Sequence, residues 1–238
     1  SSPIRRSDRI ITCSHDTERD IVRFTGVDGH KITVIPLGVD ARFRPVHDPH
    51  QRKVVRTRYG LPEKFVLALG TRRPHKNINS LVAGFAHIAS DVPHTLVIVG
   101  PTGGGARLRS RAIAALTRQR RIIELQYVEE QDLAALYSMA ELFVQPSIIE
   151  GFGLPVLEAM ACGCPVACSN TTSLPEVAGD AALLFDPFSV PALAAALRQA
   201  LLSGDLRHDL SQRGLRRAGQ FSWEQTVADT LIVFQIRE

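Results

Sequence analysis

Glu150-Gly151-Phe152-Gly153-Leu154-Pro155-Val156-Leu157-Glu158 sets one carboxylate on each side of a glycine-flanked aromatic turn. Glu150 follows the apolar run Leu142-Phe143-Val144-Gln145-Pro146, so it belongs to the loop beyond a strand. Pro155 is tolerated in the first turn of a helix, which puts Glu158 on that helix. The peptide N–H groups of Gly151, Phe152, Gly153 and Leu154 precede the helix ladder and lie at its positive end, where an anion is stabilised. Carboxylates do not ligate an anion, so the two acids are expected to accept hydrogen bonds from hydroxyls on either side of it. A sugar, a phosphate bridge and a ribose present their groups in that order.

Cations crowd a second segment, Gly70-Thr71-Arg72-Arg73-Pro74-His75-Lys76-Asn77. A departing diphosphate gathers negative charge that either a metal ion or cationic side chains can neutralise. The chain has no Asp-X-Asp triplet to hold a divalent ion. Electrophilic assistance by side chains, with no metal and no cofactor, is the expectation.

Both segments have to be carried by a scaffold. From Lys64 onward short apolar runs alternate with helix-length amphipathic segments, the pattern of an α/β, doubly wound parallel sheet. Strands are expected at 65–69, 95–99, 122–125, 142–144, 165–168 and 182–185. Ligands bind such a domain beyond the carboxyl ends of its strands, so the Gly70 and Glu150 loops should face one crevice. Gly100-Pro101-Thr102-Gly103-Gly104-Gly105 stands at another strand end, either for close approach to a ligand or as a tight turn.

The first 45 residues differ. A strand over Arg9–Ser14, a helix from about Asp16 to Thr25 and a second strand and turn over Lys31–Asp40 cannot bury a core alone. At the other end Ser222 is placed as an N-cap before a helix with Val227, Leu231 and Phe234 at helical spacing, and Trp223 reads as a core anchor.

Composition narrows the class. A chain of 238 residues, 45% hydrophobic, is large enough for one sizeable domain, and it holds no apolar run near the length of a membrane span. The N-terminal residues lack the apolar core of a secretory signal, so a cytoplasmic setting is expected. Cys162, Cys164 and Cys168 have no second knuckle to complete a metal site and read as small packing residues. Asn170-Thr171-Thr172 matches a glycosylation acceptor by chance. Only Lys31, Lys53, Lys64 and Lys76 of the 28 basic residues are lysines. The arginines suit anionic ligands or membrane surfaces. Arg107, Arg109, Arg111, Arg118, Arg120 and Arg121 read as a solvated helix face, and no aromatic interleaving points to nucleic acid.

The acid pair and the 70–77 segment, with Leu125-Gln126-Tyr127-Val128, Leu136-Tyr137-Ser138 and Pro165-Val166-Ala167-Cys168-Ser169, run in consistent order from about Arg9 onward. Together they resemble glycosyltransferase family 4, also called group 1. The resemblance implies the C-terminal, donor-binding half of a GT-B fold. Residues 1–45 would be a remnant of the N-terminal acceptor-side domain and a linker, 46–220 the Rossmann-like donor domain, and 221–238 a helix packing back toward the missing N-terminal domain. It implies a retaining transfer of a hexose, mannose from GDP-mannose ahead of a UDP-sugar, to a saccharide or lipid-linked acceptor, with association at the inner face of a membrane. Glu150, Lys76 and Arg72 would be catalytic: Lys76 on the diphosphate, Glu150 on the transferred sugar, and Arg72 as the basic partner. Relatives place that arginine where this chain has Thr71 or His75. Gly70, Thr71, Tyr127, Val128, Gly151, Phe152, Gly153 and Leu154 would line the donor, and Glu158 would accept from the ribose. Gln126 replaces a commoner glycine, and His15 does not match the family's catalytic histidine, so the chain alone is expected to bind nucleotide and transfer little. A non-catalytic nucleotide-sugar-binding module or subunit, and an epimerase-type relative, are the alternatives.

Overall fold

The computed structural model of the chain describes residues 3–71, 73–101 and 111–235. Arg72 and residues 102–110, which include Gly103, Gly104, Gly105, Arg107 and Arg109, lie outside them. The chain opens with α1 (Pro3–Arg6), β1 (Ile10–Thr12), α2 (His15–Thr25) and β2 (Ile32–Val34). Then follow α3 (Pro49–Tyr59), β3 (Phe65–Leu69), α4 (Ile78–Ile88), β4 (Thr95–Val99), α5 (Arg111–Arg118), β5 (Ile122–Leu125), α6 (Glu130–Met139) and β6 (Leu142–Gln145). The last third holds α7 (Leu154–Ala161), β7 (Val166–Ser169), α8 (Leu174–Ala178), β8 (Ala182–Phe185), α9 (Val190–Leu202), α10 (Gly204–Ala218) and α11 (Trp223–Gln235).

Local chemistry sets many of these limits. Ser14, Ser189, Ser203 and Ser222 each accept the N–H three residues on and start α2, α9, α10 and α11. Pro49 follows the Asp48 cap of α3, and Gly60 ends that helix in the left-handed region at φ 59°.

Strands β3 to β8 form one parallel sheet in the order β5-β4-β3-β6-β7-β8. Their burial shows why the sequence reads as continuous apolar runs. Phe65, Leu67, Val97, Val99, Phe143, Val166 and Cys168 pack into one core with α3, α6, α7 and α8. Their neighbours Val66, Ala68, Leu96, Ile98, Leu142, Val144 and Ala167 pack into a second core with α4 and α9. Side chains alternate between faces, and helices cover both, as doubly wound sheets require. The chain order runs outward from β3 in one direction and then from β6 in the other, so the switch point lies between β3 and β6.

β1 and β2 pair parallel in a separate two-stranded sheet, with Ile10 opposite Ile32. Hydrogen bonds tie the segment to the main body at both of its ends, where Ser14 Oγ reaches the Gly151 carbonyl at 2.8 Å and residues 36–39 meet the start of α11. Val39 N–H donates to the Phe221 carbonyl at 3.2 Å, and Thr226 Oγ1 to the Pro36 carbonyl at 2.8 Å.

Two expectations need correction. Trp223 is 42% exposed, not a core anchor; it begins α11 on the surface, and its backbone, rather than its ring, closes against Gly38. Val227, Leu231 and Phe234 of α11, for which no burial within this chain was expected, are also exposed, and among the described residues of that helix only Val233 is buried. Arg121 is not a solvated charge: its guanidinium donates to the carbonyls of His94, Ala89 and Val92 and ties β5 to the turn before β4.

Gly38 marks the tightest of these contacts, because an added Cβ would collide with the Ser222–Trp223 backbone. Backbone cannot rotate aside as a side chain does. Gly38→Ala is therefore expected to cost about 1–3 kcal/mol, the usual range for overpacking. A melting temperature equal to that of the unsubstituted chain would contradict the packing described.

Candidate functional site

The switch point explains how residues 74 positions apart come together. The loop after β3 and the loop after β6 leave the same edge of the sheet on adjacent strands, and Ile148 N–H donates to the His75 carbonyl at 2.7 Å. Across this junction Lys76 Nζ reaches Glu150 Oε1 at 2.7 Å and Oε2 at 3.0 Å. Their side chains are 27% and 13% exposed, so the pair is largely removed from water yet still open on one side.

Glu150 is held by more than its lysine. Gln145 Nε2 and Ser147 Oγ each donate to Oε1 at 2.7 Å, and Gln145 Nε2 also reaches Ser147 Oγ at 2.8 Å. Among the described residues Oε1 thus receives three donors, whereas Oε2 receives only Lys76. Gln145 Oε1 is buried without a described partner. Turning that amide over would set an acceptor against the carboxylate, so the donor assignment stands. Oε2 is the oxygen left with capacity for a ligand hydroxyl.

Hydroxyl side chains also fix the backbone that follows. Thr172 Oγ1 accepts the Glu150 N–H at 3.1 Å, and Thr171 Oγ1 donates to the Ile148 carbonyl at 3.0 Å. Ser173 Oγ is 2.8 Å from both the Glu150 and the Phe152 carbonyls. Gly153, at φ 113°, turns the chain into α7, and that backbone favours glycine. No described hydrogen bond uses the N–H of Gly151, Phe152, Gly153 or Leu154. The carbonyls face hydroxyls, with the single proton of Ser173 shared between two of them, and the N–H donors are left over.

Glu158 sits in the second turn of α7, where Tyr137 donates to its Oε2 at 2.9 Å. Tyr137 is fully buried, packed edge-on against Phe43 and Phe143. Burial first, and the neighbouring Glu158 charge second, push the phenol well above its ordinary value, so it remains a donor. Burial likewise raises the Glu158 carboxyl, with the Tyr137 hydrogen bond and Arg42 pulling the other way.

The remaining expected residues divide by what they expose. Gly70 packs against Lys76 and Ile78, and its N–H donates to the Val99 carbonyl at 2.9 Å. Gly100, at φ 141°, is glycine because a Cβ would strike the Gly70 carbonyl; it serves the meeting of two strand ends. Thr71 Oγ1 accepts from the Arg73 N–H at 3.4 Å. Tyr127 is exposed, whereas Val128 is buried in the core. Phe152 is also buried, against Phe221. For Val128 and Phe152 only the backbone is left to offer a ligand. Arg72 lies outside the described residues.

Tyr59 accepts the Glu129 N–H at 3.0 Å and donates to Asp132 at 2.8 Å, which Arg58 also engages, so α3 supports the loop carrying Tyr127 and Val128. Residue types alone did not single out Gln145, Ser147, Thr172, Ser173, Tyr137 or Tyr59 for these tasks. Only the hydroxyls clustered at 169–173 hint at a carbonyl-binding turn. The cysteines are packing residues: Cys162, Cys164 and Cys168 are free and buried, and burial pushes Cys162 and Cys168 up to about 12. No helix among the described residues is long and apolar enough to cross a membrane.

Residues 52–217 match the family described as Glycosyl transferases group 1, and residues 2–43 match Glycosyltransferase Family 4. The O-antigen chain mannosyltransferase B of Escherichia coli is 36% identical over 230 residues, which is 95% of this chain and 60% of that protein. The serotype-specific mannosyltransferase WbdA of Escherichia coli is 31% identical over 93% of this chain and 28% of its own length. Among solved structures, sucrose-phosphate synthase of Thermosynechococcus elongatus superposes with a TM-score of 0.78 at 29% identity, over 98% of this chain and 59% of that one. The chain therefore spans 60% or less of each of these proteins.

The raised Glu158 carboxyl makes a signed prediction. A group whose pKa is raised on folding favours the fold below its ordinary value of 4.5 and loses that contribution as pH climbs through the raised one. Glu158→Gln keeps an acceptor for Tyr137 and removes the buried charge. Its melting temperature should gain on that of the unsubstituted, ligand-free chain as pH rises from about 4.5 to 7. A difference that stays constant over this range would show that burial is not what shifts Glu158.

Proposed function

Because the chain belongs to the group 1 glycosyl transferases, we propose that it carries the donor-binding half of a retaining enzyme that moves a hexose from a nucleoside diphosphate carrier. Mannose is the favoured sugar and GDP the favoured carrier, on the strength of two relatives named as mannosyltransferases. The acceptor is a saccharide or a lipid-linked saccharide, met on the side of an N-terminal domain. Residues 1–45 are then the end of that domain and its linker, 46–220 the donor domain, and 221–238 a helix returning to the first. A cytoplasmic site at the inner face of a membrane completes the proposal.

The observation that carries this reading is the Lys76–Glu150 pair standing across the switch point, beside a run of peptide N–H groups without internal partners. Lys76 and those N–H groups hold the diphosphate and neutralise the charge it gains on leaving. Arg72 adds a second cation. Glu150 Oε2 accepts a hydroxyl of the transferred sugar, Glu158 accepts from the ribose, and the Tyr127–Val128 backbone meets the base. Gly70 and Thr71 allow the phosphates to approach the end of β3.

Calorimetry of this chain against a panel of nucleoside diphosphates tests the proposal, with GDP expected to bind most tightly. Lys76→Ala and Glu150→Ala should each weaken that binding by about 1–3 kcal/mol, the worth of one charge-assisted hydrogen bond. Since the two side chains contact each other, the double variant should lose less than the sum. Undiminished affinity in both single variants would remove the site assignment.

A further inference from the structure

The first segment meets the donor loop at a peptide. The Gly151 carbonyl accepts from Ser14 Oγ at 2.8 Å, with Cys13 Sγ at 3.3 Å and Thr17 Oγ1 at 3.4 Å also within reach. Ser14 has a single hydroxyl proton, and the shortest contact takes it. Its oxygen then accepts from the Thr17 N–H at 3.2 Å and the Thr17 hydroxyl at 2.9 Å. Ser14 is 2% exposed, so this donor is fixed in place.

The docking of α2 has a second anchor. Glu176 of α8 accepts the N–H groups of His15 and Asp16, both at 2.8 Å, and anchors the same helix end to the main body. Ser14 thus both caps α2 and acts on the loop.

A trans peptide holds its N–H opposite its C=O. Drawing the Gly151 carbonyl toward α2 turns the Phe152 N–H away from it. Gly151 itself offers little resistance to such a turn, since it is exposed and has open space where a Cβ would be, so a contact to its carbonyl has an orientation to hold. We propose that Ser14 is a positioning residue for the diphosphate, holding the Gly151–Phe152 peptide in the orientation that presents the Phe152 N–H to the switch-point crevice. This rests on the donor-site reading above. By reciprocity, a bound diphosphate favours the docked position of α2, so donor occupancy is felt by the segment on the acceptor side.

The test uses the 238-residue chain and two ligands, the nucleoside diphosphate that binds best in the panel and its parent nucleoside. Ser14→Ala should weaken the diphosphate about 5-fold, the effect of one hydrogen bond, and leave the nucleoside unchanged, because the nucleoside has no phosphate for the Phe152 N–H. Ser14→Thr, which keeps the hydroxyl, should recover the diphosphate. Glu176→Gln should leave the ratio of the two affinities as it is. Should Ser14→Ala fail to fold, Ser14→Cys, a weaker donor of similar shape, should give a smaller loss for the diphosphate alone. Equal losses for both ligands, or an unchanged diphosphate affinity, would overturn the role of Ser14 while leaving the donor site intact. No diphosphate binding by the unsubstituted chain would overturn both.

Discussion

The ion pair of Lys76 with Glu150 spans the opening above the paired strands β3 and β6, where the two halves of the doubly wound sheet part. Adjacent strands β3 and β6 carry their chains away from each other after the switch point, and nothing in the ladder itself bridges the opening. The pair closes it from above, aided by the Ile148 to His75 backbone bond. Removing two charges from water is costly unless further donors satisfy the carboxylate. Gln145, at the last position of β6, and Ser147 just beyond it supply them.

The next segment follows the same rule in the backbone. Between Glu150 and Phe152 each carbonyl lies within hydrogen-bond distance of a hydroxyl: Ser14 donates to the second, and the one proton of Ser173 is shared between the first and third. A loop whose carbonyls are taken has its N–H groups available, and the positive end of α7 lies directly behind them. Glu158 is held by a different means, a buried tyrosine that stays protonated because of its surroundings. The site is thus rigid in its acceptors and open in its donors, which suits an anion flanked by hydroxyls.

Much of this was legible in the residues. Burial on both faces makes every strand of a parallel sheet a short apolar run, so the limits of β3 to β8 could be read to within a residue. Pro155 and the glycines around Phe152 marked the start of α7, and the order of the strands' loops put Gly70 and Glu150 at one edge. The failures have a common cause. Trp223 carries the pattern of a buried residue but lies on the surface, because residue type and periodicity say that a face is apolar and not whether anything covers it. Arg121 carries the pattern of a solvated charge but serves three carbonyls, because a charge run does not reveal which member turns inward.

By itself, then, the sequence determined the fold class, the edge of the sheet that the Gly70 and Glu150 loops share, and the presence there of two acids and a lysine. These follow from residue type and spacing, which are local. Only the tertiary structure decided that Lys76 and Glu150 are partners, that Oε2 rather than Oε1 is left open, and that Ser14 reaches Gly151 across 137 positions. Hydrogen bonds between distant loops depend on distance and angle to a fraction of an ångström, and no pattern along a chain encodes those before the sheet has brought the loops together.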